Sequence, residues 1–515
     1  MSEFDSKTEA FFAEMSKLLR DEQLIPSDKT QEKYGKTTFD PLSRIILGAV
    51  LPHTKEEVIS VINCARTFGV HLYPISTGKN WGYGSAVPVQ ENCLIVDLSI
   101  MNRIEFSDEK LGLVTLQPGV TFRQLSEYIE RQGMPFLCPV TGGGPGTSLV
   151  GNALERGISS SQYYDRYYSI LGIEAVLADG TVYSSLSQGG GELQQNFYKW
   201  GMGPYLDGIF GQSNFGIVTS VTFALAPKTK KSIAFIIEKK STDDLANVIE
   251  KTRSFLFDTK NIPLIRILNY ERFSPIEDIE KKASNKMNWL VIGVVGGNEE
   301  MVRGMKKIAR FWYADKGQNV VFFSMKLVRF LKSLIKILPY AQRFFHNLQI
   351  IENSLNISTG KILPKTPKIY MPGVVGTKKW VNIDNPRAGL TFFYAVAPMN
   401  GSIVVNFLNQ VENVCRTYNF SPPIALHNIS ERCLLISLRL VFDRQDLVRV
   451  KDDKKCYNEL LVLSTENGIF PSRLNIDSMS THIDGTKPFW KLVSRIKEKL
   501  DPQNIISPGR YVPRK

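Results

Sequence analysis

The sequence predicts an α+β protein of two domains, in which both ends of the chain build one domain and the middle builds the other. Three observations carry this. At 515 residues the chain is too long for one small core. Short amphipathic helices alternate with strands in the first part of the chain, and a tight hairpin follows them. The glycine-rich punctuation of the first 220 residues stops after Pro227 and returns only from about 465.

The elements follow in order. Thr54-x-x-Glu57, with Val58, Val61, Ile62 and Ala65 behind it, reads as a capping box opening a helix that ends before Gly69. A strand follows at LYPIS. The same signature returns at Thr121-x-x-Gln124, with Leu125, Tyr128 and Ile129 and a terminal Gly133, between the run Leu113 to Leu116 and a glycine-rich loop. Ile173 to Leu177 and Thr181 to Tyr183 flank Asp179-Gly180, a hairpin turn because both central residues tolerate positive φ. After Pro227 come longer mixed segments joined by lysine-rich connections, which places a boundary near 228. The tail recovers short proline- and glycine-marked motifs, PSRLNID and LDPQNIISPGRY. The expected division is therefore 1–228, 229–464 and a returning segment 465–515.

Sixty-three basic side chains against 50 acidic ones give a net charge of +13. Such an excess suits nucleic acid, an anionic membrane face or an anionic ligand. The basic residues are scattered and no zinc-finger spacing occurs, so nucleic-acid binding is not expected. Six cysteines stand without CxxC pairing, mostly in apolar runs, and read as buried free thiols. The start, MSEFDSKTEAFF, is acidic and polar where a signal peptide needs a basic end and an apolar run. No stretch approaches the roughly 18 apolar residues of a membrane span. A cytoplasmic protein is the expectation.

Chemistry enters with two loops. Pro74-Ile-Ser-Thr-Gly-Lys-Asn-Trp-Gly-Tyr-Gly84 leaves a strand and offers Gly78, Gly82 and Gly84 beside Ser76, Thr77 and Lys79. Gly142 to Asn152 does the same with more glycine and opens towards Glu155-Arg-Gly157. Backbone N–H groups in such loops can point at phosphate, and two loops suit a pyrophosphate. Neither loop alone is more than a tight structural turn on spacing. No GxGxxG fits and no GxxxxGK[ST] occurs, which disfavours a Rossmann unit and a P-loop.

Taken together, PISTGKNWGYGSAVP at 74–88, GNALERG at 151–157, GPYLDGIFGQSNFGIVT at 203–219 and LDPQNIISPGRY at 500–511 resemble the vanillyl-alcohol oxidase and p-cresol methylhydroxylase flavoproteins. The resemblance is continuous over about 40–228, weak through the middle and recovered after about 465. It implies an FAD-binding domain from both chain ends and a central cap domain over the flavin ring. The cofactor-holding residues it implies are Pro74, Ser76, Thr77, Gly78, Lys79, Asn80, Gly84 and Ser85 in the first loop. Gly142, Gly143, Ser148, Gly151, Asn152 and Gly157 follow in the second, with Gly216, Ile217 and Val218 against the rest of the FAD.

The resemblance also implies four catalytic residues. Glu155 matches an acidic position near the flavin and the substrate carbon, against the plainer reading of a surface pair with Arg156. Arg473 matches an arginine that stabilises a substrate phenolate, against a solvated surface arginine. A phenol's pKa near 10 must fall for its ring to release hydride at neutral pH, and a fixed guanidinium lowers it. Arg510 resembles the cation at the flavin N1–C2=O edge, and Tyr83 a second phenolate partner. Two departures stand out. The family's Tyr-Arg pair reads Ser472-Arg473 here, and the segment resembling its tether region, Ile429 to Phe442, holds neither His nor Tyr. FAD is therefore expected without a covalent bond, with His427 the nearest imidazole outside that segment.

Met325 to His346 carries Lys326, Arg329, Lys332, Lys336 and Arg343 on one helical arc with apolar residues on the other, until Pro339 bends or ends the helix. Such a face suits a membrane surface, a cap helix or a contact within a homo-oligomer, and the last two are favoured. No metal site is expected. The functional expectation is oxidation of a small, para-substituted phenolic substrate by hydride transfer to FAD, ending in hydroxylation, dehydrogenation or oxidative decarboxylation. An FAD-linked 2-hydroxyacid or alcohol dehydrogenase, and a flavin-binding partner protein without turnover, stay open beside it.

Overall fold

Local signals set the helix ends. In the computed structural model, Thr54 caps the helix Lys55–Phe68 by accepting from the Glu57 N–H, and Gly69 closes it at φ 67°. The Glu57 carboxylate does not complete the expected box. It accepts instead from the His53 N–H at 2.7 Å and from Gln23 at 2.8 Å, tying the helix to the preceding segment. Thr121 and Gln124 do form the full reciprocal box at the helix Phe122–Arg131. The structure describes residues 3–513 apart from 41–43, 141, 159–164, 186–195, 240–241, 261–262, 274–288, 315–319, 336–341, 363–367 and 372–379.

Three sheets of more than two strands organise the chain. The first holds β1 (Leu24–Pro26), β2 (Ile46–Val50), β3 (His71–Ile75) and β4 (Cys93–Asp97) in the order β1-β2-β4-β3, with β2 and β3 parallel to β4. The second holds β5 (Ile104–Asp108), β6 (Leu113–Leu116), β7 (Ile170–Val176), β8 (Val182–Ser184) and β9 (Ile217–Ala224), antiparallel in the order β5-β6-β9-β7-β8. Its β7–β8 hairpin turns at Asp179-Gly180, where Gly180 takes φ 87°.

The third sheet has eight antiparallel strands. They are β10 (Lys231–Lys239), β11 (Leu264–Asn269), β12 (Trp289–Gly297), β13 (Val321–Ser324), β16 (Ala388–Pro398), β17 (Ile424–Asn428), β18 (Cys433–Asp443) and β19 (Phe470–Pro471). Their order is β13-β10-β12-β11-β17-β18-β16-β19, and β14 (Lys368–Tyr370) with β15 (Trp380–Asn382) forms a separate ribbon. Side chains alternate across this sheet as the two-residue strand period requires. Ile436, Leu438 and Leu440 of β18 join a core with Leu245, Phe407 and Leu460 from the helices Thr242–Asp258, Gly401–Thr417 and Leu447–Glu466. Leu435, Ser437 and Arg439, one residue out of phase, line a cavity instead.

The tail leaves the eight-stranded sheet at β19 and comes back beside β3. The Leu72 N–H donates to Ile505 O and the Ser507 N–H to Leu72 O, both at 2.7 Å. Buried Lys497, on the helix Pro488–Leu500, donates to Asn214 O and Ile506 O at 2.8 Å and to Asp501 at 2.5 Å. A buried ammonium needs such a full set of acceptors. All six cysteines are free thiols and five are buried.

The basic stripe between Met325 and His346 falls on two described helices. The helix Met325–Ile335 ends ahead of Pro339, and a second helix, Gln342–Ser358, follows. Lys332 reaches it, donating to Gln349 and Glu352 at 2.5 Å each, so this cation pairs with the next helix rather than with solvent. Lys336 and Pro339, and the side chains of Arg343 and His346, lie outside the described residues. Among the described residues no helix is long and apolar enough to cross a membrane, and none cluster as metal ligands.

Candidate active site

The two glycine-rich loops meet. Thr77 Oγ1 accepts from the Ser148 N–H at 3.1 Å, and Ser148 in turn caps the helix Leu149–Leu154 through the Gly151 N–H. A Cβ on Gly151 would stand 2.7 Å from Ser76 Oγ, so glycine lets the helix approach the first loop. Gly82, at φ 75°, lies where a Cβ would meet the Phe392 ring at 2.4 Å, which seats that loop on β16.

Between these loops and the eight-stranded sheet lies a cavity of about 670 Å³. Pro74, Ser76, Thr77, Gly78, Lys79, Asn80 and Ser85 line it from the first loop, and Gly142, Gly143, Ser148, Gly151, Asn152 and Gly157 from the second. Gly216 and Val218 contribute from the start of β9. Gly84 and Ile217 do not line it. A Cβ on Gly84 would collide with Ile476 at 2.5 Å, so that glycine serves packing against the tail, and Ile217 is buried in the core beneath β2 and β4. Asn152 lines the cavity, but its Oδ1 accepts from buried Arg166 at 2.6 Å.

Glu155 follows the helix Leu149–Leu154 directly and is turned inward. Its pairing is with Arg473 and Arg510, and Arg156 beside it is exposed. Arg473 Nη2 stands 3.3 Å from Glu155 Oε2 and 3.1 Å from Asn80 Oδ1, while Arg510 holds Glu155 Oε1 and donates to the Tyr73 hydroxyl at 2.9 Å. The Arg473 guanidinium lies 4.4 Å over the Tyr83 ring. Tyr83 is 2% exposed and its hydroxyl has no protein partner among the described residues. Burial pushes that hydroxyl's pKa well above the ordinary tyrosine value, against the opposing pull of Arg473. Tyr83 therefore stays a hydrogen-bond donor. The four residues expected to be catalytic, Tyr83, Glu155, Arg473 and Arg510, thus come together at one wall.

The opposite wall was not expected from the sequence. Arg266 (β11), His427 (β17), Arg439 (β18), Phe392 and Tyr394 (β16), and Arg272 all line the same cavity. The available signal was a lone cation in an otherwise apolar strand, as in LLISLRLVF and PLIRILN. His427 is held neutral by burial and by Arg266 and Arg272, its pKa pushed down to about 3. The cavity is strongly cationic. Lys79, Arg156, Arg266, Arg272, Lys368, Arg439, Arg473 and Arg510 line it, against Glu155 alone among the described acidic residues.

That donor set fits FAD. The loop end of the cavity offers glycine backbone, Ser76, Thr77 and Ser148 with no acidic side chain among them, as a pyrophosphate requires. The comparisons agree. Residues 46–185 match the family model described as an FAD binding domain. The 1'-carboxy-chondrochloren decarboxylase of Chondromyces crocatus is 26% identical, over 95% of this chain and 94% of that protein. The 4-cresol dehydrogenase [hydroxylating] flavoprotein subunit of Pseudomonas putida is 25% identical, over 98% and 94%. The structure of p-cresol methylhydroxylase with substrate bound superposes with a TM-score of 0.83 at 24% identity, over 99% of this chain and 97% of that one. The 4-ethylphenol oxidase of Gulosibacter chungangensis gives 0.82 at 20% identity over the same shares. The chain is an FAD-dependent oxidoreductase, similar over nearly its whole length to flavoproteins of the p-cresol methylhydroxylase kind.

Proposed function

We propose that this enzyme oxidises the benzylic carbon of a para-substituted phenol. One observation carries the reading: the buried Tyr83 hydroxyl lacks a protein partner among the described residues, and the Arg473 guanidinium lies over the Tyr83 ring on the cavity wall. A neutral donor and a fixed cation side by side stabilise a phenolate oxygen and lower the phenol's pKa. The cresol dehydrogenase among its relatives supports the same class. FAD, when bound, supplies the hydride acceptor. The chain's own part is to grip the phenol oxygen through Arg473 and Tyr83, and to hold Glu155 where positive character develops as hydride leaves.

In this reading residues 1–228 and 465–515 hold FAD through the two glycine-rich loops with Gly216 and Val218, while 229–464 forms the cap over the substrate. Mixing the purified yellow protein anaerobically with a 4-alkylphenol should bleach the flavin, and the matching methyl ether should leave it oxidised. Bleaching by both at equal rates would overturn the phenolate site. A second reading, a 2-hydroxyacid dehydrogenase, draws support from the arginines of the far wall, since that chemistry needs cations around a carboxylate. Bleaching by a 2-hydroxyacid and by no phenol would select it.

We also propose that FAD is held without a covalent bond. The 429–442 segment lacks His and Tyr, although His427 and Tyr394 line the cavity nearby. Acid precipitation should therefore leave the flavin in the supernatant. A yellow pellet overturns this and directs attention to those two side chains.

A further inference from the structure

We propose that Arg266, Arg272 and Arg439 form a carboxylate-binding subsite in the cavity, and that the natural phenolic substrate carries an acidic side chain which this subsite holds. The inference rests on the phenol-oxidase reading and deepens it.

All three guanidinium groups line the cavity, and none has an acidic partner among the described residues. Arg266 donates to the Ser354 hydroxyl. Buried nitrogens remain without a protein acceptor on each, namely Arg266 Nε, Arg272 Nη1 and Arg439 Nε. Buried cations are ordinarily paired, so three lining one cavity mark a place for an anion that the described residues do not provide. Arg272 also repels the other two. Arg272 lowers the pKa of both others, with burial the larger cause, to about 10 for Arg266 and about 9 for Arg439. Neighbouring His427, held neutral, adds no charge but can hydrogen-bond.

The cofactor's phosphates do not account for these residues. Arg266 and Arg439 stand on strands of the eight-stranded sheet, where Arg266 pairs with His427 of β17 and Arg439 with Phe392 of β16, whereas Ser76, Thr77 and Ser148 stand on the glycine-rich loops. Arg473 Nη2 is held by Glu155 and Asn80, and its buried Nε has no protein acceptor among the described residues. The cavity thus offers a phenol-oxygen site at Tyr83 and Arg473 and a separate cationic site on the sheet. A planar guanidinium fork matches a carboxylate well.

The test is calorimetric titration of the FAD-loaded protein with four probes: 3-(4-hydroxyphenyl)propanoate, its methyl ester, 3-phenylpropanoate and 4-ethylphenol. The hydroxyphenyl acid should bind on the order of tenfold more tightly than its ester, the scale of a hydrogen bond to a charged group. Arg439→Gln and Arg272→Gln should each remove most of that preference while 4-ethylphenol binding and flavin content stay as in the wild type. Should either variant fold poorly, Arg439→Lys, which keeps the charge and loses the fork, should still reduce the preference. Equal affinity of acid and ester in the wild type overturns the subsite, and so does loss of FAD from the variants. A phosphonate analogue that outbinds the carboxylate overturns the ligand class. If 3-phenylpropanoate binds as tightly as the hydroxylated acid and weakens in Arg439→Gln, the subsite stands and the phenol reading fails. If acid and ester bind alike yet both bleach the flavin, the reverse holds.

Discussion

Arg473→Ala should weaken binding of a 4-alkylphenol by roughly 30- to 150-fold, about 2–3 kcal/mol, the cost of removing one member of a desolvated charge pair. The guanidinium is 10% exposed and touches Glu155, Asn80 and the Tyr83 ring at once, so its loss is not made good by solvent. The methyl ether of the same phenol should lose little further affinity, because the site that distinguished them is gone. Spectral titration of the bound flavin with the pair of ligands measures this. A variant that still prefers the phenol over its ether places the phenolate site elsewhere. Arg510, which keeps its bonds to Glu155 and Tyr73, should hold the carboxylate in place and keep the variant folded.

This cluster was legible in the sequence through the family resemblance of the segments that carry its members, and three of those segments have local reasons for their shapes. Glu155 follows a capped six-residue helix, Tyr83 stands between two glycines, and Arg510 ends a loop that the helix at 488–500 positions. What the motifs could not display is that Glu155 bridges Arg473 and Arg510, joining three places far apart in the chain. Loop glycines were legible only as a group. Gly151 and Gly84 look alike in sequence, yet one admits a cavity-lining helix and the other makes room for Ile476.

The far wall was illegible for a different reason. Arg266, His427 and Arg439 come to line one cavity only through the strand order β11-β17-β18, which brings together segments that no local pattern connects. Strand alternation alone says that Arg439 faces away from Ile436 and Leu438. It does not say whether that other face meets solvent or a cavity. The net charge of +13 was the only global hint, and part of the excess is concentrated in this cavity rather than on the surface.

Glu155→Gln should slow flavin reduction by roughly 10²–10³, the scale of losing one positioned electrostatic group. In the proposed reaction Arg473 holds the bound phenol and this carboxylate acts as hydride leaves. The geometry couples them. Glutamine keeps the shape and one carbonyl oxygen, but its NH₂ must face one of the two guanidinium groups that now flank Oε1 and Oε2. That donor-to-donor contact releases one arginine, so substrate binding should also weaken, by a smaller factor of about three to ten. Stopped-flow bleaching under anaerobic conditions at saturating phenol separates the two effects, since the limiting rate reports hydride transfer and the half-saturation reports binding. Wild-type limiting rates would sink the role of Glu155 in stabilising the developing charge. A changed half-saturation with an unchanged limiting rate would leave it only as the clamp that holds Arg473 and Arg510.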